Sequence, residues 1–257
     1  MVKGRSGLRI MGSDRLAGRF AEGVITGGAM RAEENGLALF CKHWTPGRIK
    51  TRWGSEIGME RAAAAARVFQ ECLVNRLATT GDRRILVYAP SHQAAEYRQL
   101  AGAAWQCAEQ SDGDLGQRLS GFASQMLGEV KRLVILGSDS PDIPSDYIEH
   151  AFAILQQFPV VLGPARDGGY YLVGMSRFVP ELFDAIPWST PRVFAESCDR
   201  LRRVAVAFRE LPMWDDVDDH ASWMQVRERW RRTEENSREW IEKLDRILAV
   251  DVQEGRR

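Results

Sequence analysis

The sequence has no excess of charge of either sign and no long apolar run. Its 257 residues include 35 Lys and Arg against 35 Asp and Glu, so the net charge is zero with neutral histidines. Proteins that hold nucleic acid through its phosphates usually carry a basic excess, so nucleic-acid binding is not expected. No apolar run approaches the roughly 20 residues that cross a bilayer, and polar residues interrupt the first thirty. We therefore expect a soluble, unexported protein of the cytoplasm.

Cysteine and histidine are also scarce. The four cysteines and the four histidines are scattered along the chain, without the short paired spacing of zinc ligands. The sequence therefore predicts no cysteine- or histidine-based metal site, and we expect the cysteines to be reduced and mostly buried.

The residues that are abundant predict an α/β fold. Hydrophobic residues make up 44% of the chain and charged residues 27%, as in globular proteins. Short apolar runs predict strands at 37–41, 85–88, 104–108, 133–136, 160–162, 170–173 and 204–208. Helical spacing or capping residues predict helices between them, one opening at Ser55 and another at Thr190-Pro191. This alternation predicts a three-layer α/β/α sandwich around a mostly parallel sheet.

Composition divides the chain into three parts. Residues 1–35 are rich in glycine and are expected to form a flexible extension, while 36–223 form the α/β domain. Residues 224–257 are charged and helical in pattern, with apolar positions at helical spacing that include Trp230 and Trp240. We expect this tail to pack on the domain or on a second copy of the chain, as in a homodimer.

The loop after the first strand is strongly basic. In open α/β sheets ligands bind beyond the carboxyl ends of the strands, so such loops are the place to look for a site. Four cations lie here beside a Pro46-Gly47 turn: Lys42, Arg48, Lys50 and Arg52. Glycine lets a backbone approach phosphate and the cations neutralise it, which favours a di- or triphosphate. A solvated basic loop has the same composition, and the pattern is neither a P-loop nor a dinucleotide motif.

Two later loops concentrate aspartate. Asp139 ends the 133–136 strand and Asp142 follows three residues later, so both carboxylates can converge on Mg²⁺ or Mn²⁺. Asp142 is equally well explained as a turn or capping residue before the next helix. A run of four aspartates at 215–219 also follows a strand, and is either a solvated face or a source of another metal ligand, Asp218.

A glycine pair separates the 160–162 and 170–173 strands. Asp167-Gly168-Gly169 offers an acceptor for a sugar hydroxyl, with exposed backbone beside it. The same residues would also make an ordinary hairpin turn.

Five motifs in order resemble the GT-A-like transferases related to the arsenosugar-biosynthesis glycosyltransferases, which are relatives of the phospholactate and molybdenum-cofactor guanylyltransferases. The motifs are KHWTPGRIKTR, GDLG with Arg118, GSDSPDIP, LGPARDGGYYLVG and IPWST, within Leu37 to Trp223. The resemblance implies a nucleotide-diphospho-sugar transferase fold, a divalent metal at Asp139 and nucleotide held by the loop after the first strand.

Motifs and resemblance together define the candidate site. The candidate nucleotide-binding residues are Lys42, Pro46, Gly47, Lys50, Thr51, Arg52, Asp114 and Arg118. The candidate acceptor or sugar residues are Asp167, Gly168, Gly169 and Trp188, and the candidate metal ligands are Asp139, Asp142 and Asp218. Lys50 and Asp167 are the catalytic candidates.

The leading hypothesis is a metal-dependent glycosyltransferase that moves a sugar from a nucleotide-diphosphate donor to a small acceptor. Cations and metal would stabilise the departing diphosphate, and Asp167 would contact the acceptor or act as general base. An alternative is a guanylyltransferase-like nucleotidyltransferase that releases pyrophosphate from a nucleoside triphosphate. That activity favours a glycine-rich loop, whereas this one has only Gly47 and then Gly54. A non-catalytic nucleotide-binding protein is disfavoured because Asp139 and Lys50 are both present.

Overall fold

The computed structural model describes residues 34–233 and 237–249. The strands are β1 (Asn35–Lys42), β2 (Arg83–Ala89), β3 (Gln106–Glu109), β4 (Arg132–Gly137), β5 (Val160–Pro164), β6 (Tyr170–Met175) and β7 (Phe208–Glu210). The α-helices are α1 (Thr51–Ile57), α2 (Met59–Arg76), α3 (Ala94–Ala101), α4 (Leu115–Met126), α5 (Ser145–Ile154), α6 (Val193–Arg203), α7 (His220–Thr233) and α8 (Ser237–Leu248). Two 3-10 turns lie at Ser91–Gln93 and Pro180–Leu182.

The strands form one sheet in the order β3-β2-β1-β4-β6-β5-β7. All neighbouring pairs are parallel except those of β6, which runs antiparallel to both β4 and β5. The carboxyl ends of β1 and β4 therefore open at the same edge, where the basic loop and the first aspartate loop follow them.

Helices cover both faces of the sheet. Alternate residues of a strand point to opposite faces, and in β1 Leu37 and Leu39 pack in one buried cluster while Ala38 packs in another. Helices α2, α3 and α5 contribute to the first cluster, and α4 and α6 to the second. Burial on both faces explains why these strands read as continuous apolar runs. The predicted three-layer sandwich with a mostly parallel sheet is confirmed.

A third apolar cluster joins the C-terminal helices to the domain. The rings of Trp53 in α1 and Trp223 in α7 lie 6.4 Å apart, with Phe69 of α2 beside them. Ile241 and Leu244 of α8 are buried in the same cluster. Helices α7 and α8 thus pack directly on α1 and α2, and α1 is the helix that follows the basic loop. A homodimer stays a prediction.

Several predicted element boundaries are wrong. Ser55 does not open a helix; it lies inside α1, where its hydroxyl donates to the Arg52 carbonyl at 2.6 Å. Helix α1 is separate from α2 because Gly58, at φ 95°, lies between them. The last strand begins only at Phe208, because Val204 and Ala205 form the turn that ends α6, with Ala205 at a left-handed φ of 53°.

The helix predicted from Thr190-Pro191 begins at Val193, two residues later. The Thr190 hydroxyl donates to the Pro187 carbonyl at 2.7 Å and accepts from the Arg192 amide at 3.3 Å, so it closes a turn before the helix. The predicted flexible extension falls almost wholly outside the described residues, as does the last part of the tail, and the three domain boundaries stay predictions. None of the described helices has both the length and the apolarity needed to cross a bilayer.

Candidate active site

The basic loop after β1 folds back over the edge of the sheet. A turn closes where the Arg48 amide donates to the Thr45 carbonyl at 3.0 Å, and Gly47 adopts a left-handed φ of 72° there. Lys50 is also left-handed, with φ 46° and ψ 41°, which costs a non-glycine residue about 1–3 kcal/mol. Trp53, fully buried, anchors the helix that follows. The loop is therefore held in one shape, with Lys50 turned inward.

The ammonium of Lys50 lies between two carboxylates. Its Nζ is 2.5 Å from Asp139 Oδ1 and 3.1 Å from Asp218 Oδ1, and only 4% of the side chain is exposed. Burial acts to lower the pKa of Lys50, but the charges of Asp139 and Asp218 outweigh it and raise this pKa. Lys50 is therefore a fixed positive charge at neutral pH.

The segment after β7 brings two more carboxylates to Asp139. The Val217 amide donates to the Asp139 carbonyl at 3.0 Å, and the Val217 side chain is fully buried in the third apolar cluster. Asp216 and Asp218 flank this anchor. Ser140 Oγ donates to Asp216 Oδ1 at 2.5 Å, and burial, followed by the charge of Asp139, raises the Asp216 pKa above its ordinary 3.8. Sequence reasoning did not single out Asp216, although it belongs to the recognised aspartate run.

Asp139, Asp216 and Asp218 fit a hard divalent cation in chemistry. Carboxylate oxygens are the preferred ligands of Mg²⁺ and Mn²⁺. Within the described ranges, no three His, Cys, Asp or Glu side chains already meet at one coordination point. The Lys50 ammonium is the cation that bridges Asp139 and Asp218 in this structure.

Asp142, predicted as a metal ligand, faces away from this cluster. Its Oδ1 accepts from Trp214 Nε1 at 3.1 Å and its Oδ2 from Arg229 Nε at 2.7 Å, and 4% of the residue is exposed. Burial raises its pKa, while Arg229 acts to lower it. The structure therefore separates Asp142 from Asp139, because its two oxygens are engaged by α7 and the segment after β7. In this structure Asp142 forms an interior ion pair with Arg229.

The remaining aspartates of the 215–219 run are structural. Asp215 accepts from Arg166 at 2.6 Å and from Arg229 at 2.8 Å. Asp219 Oδ1 accepts from the Ser222 amide at 2.8 Å, which caps the start of α7. Only Asp216 and Asp218 of this run face the site.

A cavity of about 420 Å³ lies between the basic loop and Asp139. Its charged lining residues are Lys42, Arg48, Lys50, Arg52, Asp139 and Asp218, with Thr51 among its polar ones. Pro46 and Gly47 form the exposed turn and do not line it. Four cations against two carboxylates leave this cavity, which we call the cation cavity, positive.

A second cavity of about 330 Å³ adjoins the first and shares Arg52 and Asp218 with it. It is lined by Asp167 and Gly169 of the β5–β6 loop and by Trp188. Its other lining residues, of which sequence reasoning named none as site residues, are Leu115, Tyr170, Ser189, Thr190, Pro191, Val193 and Asp216. We call it the aspartate–tryptophan cavity.

Close packing fixes the walls of the aspartate–tryptophan cavity. Gly168 has φ 89°, and a Cβ on it would lie 2.1 Å from the Pro191 carbonyl oxygen. A Cβ on Gly116 in α4 would lie 2.2 Å from Trp188 Nε1. The β5–β6 loop is thus a hairpin turn and also a cavity wall, and its Gly168 is required by a contact with a residue distant in sequence.

Asp114 and Arg118 lie at the start of α4 but line neither cavity. Asp114 forms a capping box with Gln117, each accepting a backbone N–H of the other at 2.9 Å, and Arg118 Nε donates to the Gly113 carbonyl at 2.8 Å. Their neighbour Leu115 does line the aspartate–tryptophan cavity. The structure does not bring the two predicted residues to the cation cavity, and their nucleotide role stays a prediction.

Comparison with known proteins gives one family match. A family described as "Uncharacterized protein conserved in bacteria (DUF2064)" matches residues 73–190, from α2 to the segment beyond β6. No curated protein matches the sequence.

Solved structures extend the likeness to nearly the whole chain. A protein from Desulfovibrio desulfuricans G20, described as a proposed nucleotide-diphospho-sugar transferase, is 29% identical with a TM-score of 0.77, covering 84% of this chain and 97% of its own. A nucleotidyl transferase from Methanothermobacter thermautotroptrophicus is 14% identical with a TM-score of 0.56, covering 78% of this chain and 99% of its own.

A third similar structure is CMP:2-keto-3-deoxy-manno-octonic acid synthetase complexed with CTP. It is 14% identical with a TM-score of 0.50, covering 78% of this chain and 100% of its own. At such identities the last two comparisons establish the fold alone. The chain has the fold of the nucleotide-diphospho-sugar transferases, as its motifs led us to expect.

Proposed function

We propose that the protein is a divalent-metal-dependent glycosyltransferase that moves a sugar from a nucleotide-diphosphate donor to a small acceptor. The observation that carries this proposal is the pair of adjoining cavities, one rich in cations and the other walled by Asp167 and Trp188. They share Arg52 and Asp218. A sugar bound at this boundary would have its diphosphate in one cavity and face an acceptor in the other.

The cation cavity suits the diphosphate of the donor. Lys42, Arg48 and Arg52 line it with exposed positive charge, while Lys50 is buried and paired with Asp139. A fixed charge stabilises the growing negative charge of a leaving diphosphate without reorganising during the reaction. Lys50 therefore serves the transition state, and the outer cations serve binding.

Asp139, Asp216 and Asp218 would hold the divalent cation, Mg²⁺ or Mn²⁺, at the edge of the cation cavity. Such an ion supplies charge neutralisation on the diphosphate oxygens. Lys50, which pairs with Asp139 and Asp218, would add its ammonium to the positive charge that such an ion supplies. Asp142 takes no part, because Arg229 and Trp214 engage its oxygens.

Asp167 is the residue proposed to receive the acceptor proton. Its Oδ1 accepts from the Gly169 amide at 2.8 Å, which leaves Oδ2 for a ligand. The acceptor hydroxyl oxygen forms a bond to the anomeric carbon while the bond from that carbon to the diphosphate oxygen breaks. The hydroxyl proton passes to Asp167 and then to solvent, and the nucleoside diphosphate keeps the bonding electrons. The resemblance to the arsenosugar-biosynthesis glycosyltransferases stays a prediction.

Nucleotidyl transfer is the second candidate, because two of the similar folds belong to nucleotidyltransferases. The loop after β1 argues against it. Gly54 is buried in α1, where an added Cβ would lie 2.5 Å from Met59 Sδ, so it does not face a phosphate. Gly47 is then the only glycine of the loop that could cradle a triphosphate. A nucleotide-binding protein without turnover is the third candidate.

One assay separates the three candidates. The protein is incubated with Mg²⁺ or Mn²⁺, a mixed set of hydroxyl acceptors, and either nucleotide sugars or nucleoside triphosphates. Release of nucleoside diphosphate from a nucleotide sugar is expected, and Asp139→Asn should abolish it while the exposed Glu149→Gln leaves it unchanged. Pyrophosphate release from a triphosphate would establish nucleotidyl transfer instead, and ligand-induced thermal stabilisation without any release would establish binding alone.

A further inference from the structure

The charged residues of the aspartate–tryptophan cavity are mainly acidic. Asp167, Asp216 and Asp218 line it against a single guanidinium, that of Arg52. Arg52 belongs equally to the cation cavity, and its Nη1 lies 4.0 Å from Asp218 Oδ2. A divalent cation would offset Asp216 and Asp218, but no cationic side chain that lines the cavity in the described ranges forms an ion pair with Asp167. The charge that an acceptor beside Asp167 meets is therefore the negative charge of that carboxylate.

The one arginine adjacent to Asp167 in sequence is directed elsewhere. Arg166 Nε donates to Asp215 at 2.6 Å, and Arg166 is not among the residues that line the cavity. This pairing keeps a guanidinium out of the position where a phosphorylated acceptor would need one. The acidity of the cavity is thus a property of the packed structure as well as of its composition.

Trp188 gives the cavity a rigid aromatic wall. Its ring packs edge-on to Tyr170 with centroids 6.0 Å apart, and its indole nitrogen lies against Gly116, where no side chain has room. The Trp188 amide donates to the Ile186 carbonyl at 2.8 Å. A ring held from two sides is a stacking surface for an apolar face of a ligand, and it attracts cations rather than anions.

From these observations we infer that the acceptor is a neutral or cationic hydroxyl compound with an apolar face, and that phosphate monoesters are rejected. The inference rests on the proposed function, since it concerns the acceptor of that reaction. Asp167 rejects an anion by like-charge repulsion, and Trp188 binds the apolar face. The two residues together determine acceptor specificity.

The test uses three versions of one probe and requires no turnover. Phenyl β-D-glucoside is compared with its 6-amino-6-deoxy and 6-phosphate derivatives, and each is titrated calorimetrically into protein that holds Mg²⁺ and pyrophosphate. We expect the hydroxyl and amino probes to bind at least roughly tenfold more tightly than the phosphate probe, given the strength of like-charge repulsion in a partly buried site. Trp188→Ala should weaken all three probes.

Asp167→Asn separates charge from shape, because the amide oxygen can still accept from the Gly169 amide. This variant should reduce the preference against the phosphate probe by about threefold or more. Glu149→Gln removes an equal charge from exposed surface of α5 and should leave the preference unchanged. Equal or tighter binding of the phosphate probe by the native protein would overturn the inference, and so would failure of all three probes to bind.

These outcomes are independent of the donor assay. Correctly ordered binding without nucleoside diphosphate release would refute the proposed glycosyl transfer and leave the cavity chemistry standing. Turnover with phosphorylated acceptors would support the proposed glycosyl transfer and refute the inference about the charge of the acceptor.

Discussion

Lys50 is the residue on which the chemistry of the site depends most. Its ammonium lies 2.5 Å from Asp139 and 3.1 Å from Asp218, in a side chain that is 4% exposed. Its left-handed backbone costs about 1–3 kcal/mol and is maintained by the surrounding packing. In the proposed reaction this buried lysine neutralises Asp139 and Asp218 and also supplies fixed positive charge to the diphosphate.

Replacing Lys50 by methionine should separate these two tasks. Turnover should fall by about 100-fold or more, because one fixed charge is lost from the transition state. Mn²⁺ affinity should rise, because Asp139 and Asp218 lose their competing cation. The checks are initial rates and Mn²⁺ titration by electron paramagnetic resonance, with the exposed Lys131→Met as control. Unchanged turnover would remove Lys50 from the reaction.

Asp216 should make the metal-free protein less stable as pH rises. Its pKa is raised by burial and by Asp139, so the folded state holds a proton that the unfolded state releases at lower pH. Stability is therefore lost as pH increases from about 5 to about 8, above the ordinary carboxyl range. The thermal unfolding midpoint of Asp216→Asn should exceed that of the native protein at about pH 8, and by much less at about pH 5. An equal gain at both, or a gain shared by the exposed Asp146→Asn, would contradict this.

At the scale of elements, the β5–β6 loop shows how a turn becomes part of a site. The loop is a hairpin, yet its packing is fixed by the segment before α6. Phe194 donates its amide to the Gly168 carbonyl at 2.9 Å, and the Pro191 carbonyl fills the space where a Gly168 side chain would stand. This arrangement positions Asp167 and Gly169 at the cavity.

Gly168→Ala should therefore impair both stability and acceptor use. Gly102→Ala is the matched control, because Gly102 also has a positive φ, 56°, but an added Cβ would meet nothing within 4 Å. The control should lose about 1–3 kcal/mol from backbone strain, because its φ of 56° and ψ of −142° are unfavourable for any residue with a side chain. Gly168→Ala should lose more in urea unfolding, and the KM for the acceptor should rise while that for the donor changes little. Equal losses in the two variants would show that the contact with Pro191 is unimportant.

The local pattern of apolar residues predicted the strands that are buried on both faces of the sheet. It failed where contacts distant in sequence determine the structure. The β1 run needed no tertiary information, because Leu37 to Leu39 are apolar on both faces of the sheet. Helix α1 has no such pattern; Trp53 holds it by packing against Phe69 and Trp223. Its start could not be read from Ser55.

The candidate site residues also divide into those that local sequence pattern identified and those whose roles depend on contacts distant in sequence. Asp139 and Lys50 could be singled out because each follows a recognisable strand. Asp142 could not be assigned, because its partner Arg229 lies in α7, remote in sequence. The roles of Asp216 and Asp218 likewise depend on Val217, whose amide bonds to the Asp139 carbonyl.

At the scale of the whole molecule, helix α7 contacts both aspartate loops, which follow β4 and β7. Arg229 pairs with Asp142 at 2.7 Å and with Asp215 at 2.8 Å, and its guanidinium lies 4.3 Å from the Trp214 ring centroid. These contacts fix the loops after β4 and β7 relative to each other, and the same loops carry Asp139, Asp216 and Asp218. The C-terminal helices are therefore part of the support of the site.

Breaking this link should destabilise the fold without removing the metal ligands. Arg229→Met leaves the buried Asp142 unpaired and should cost about 3 kcal/mol in urea unfolding. Asp142→Asn should retain Mn²⁺ binding and Asp139→Asn should lose it, since only Asp139 faces the cation cavity. Loss of Mn²⁺ binding in a folded Asp142→Asn protein would return Asp142 to the metal site.

The most direct test of glycosyl transfer is the phosphorus NMR spectrum of the reaction. The protein is supplied with Mg²⁺, nucleotide sugars, nucleoside triphosphates and neutral hydroxyl acceptors together. We predict that nucleoside diphosphate resonances grow only as nucleotide-sugar resonances decline, with no pyrophosphate, and that Asp139→Asn prevents the change. Growth of pyrophosphate at the expense of a triphosphate would contradict glycosyl transfer and identify a nucleotidyltransferase.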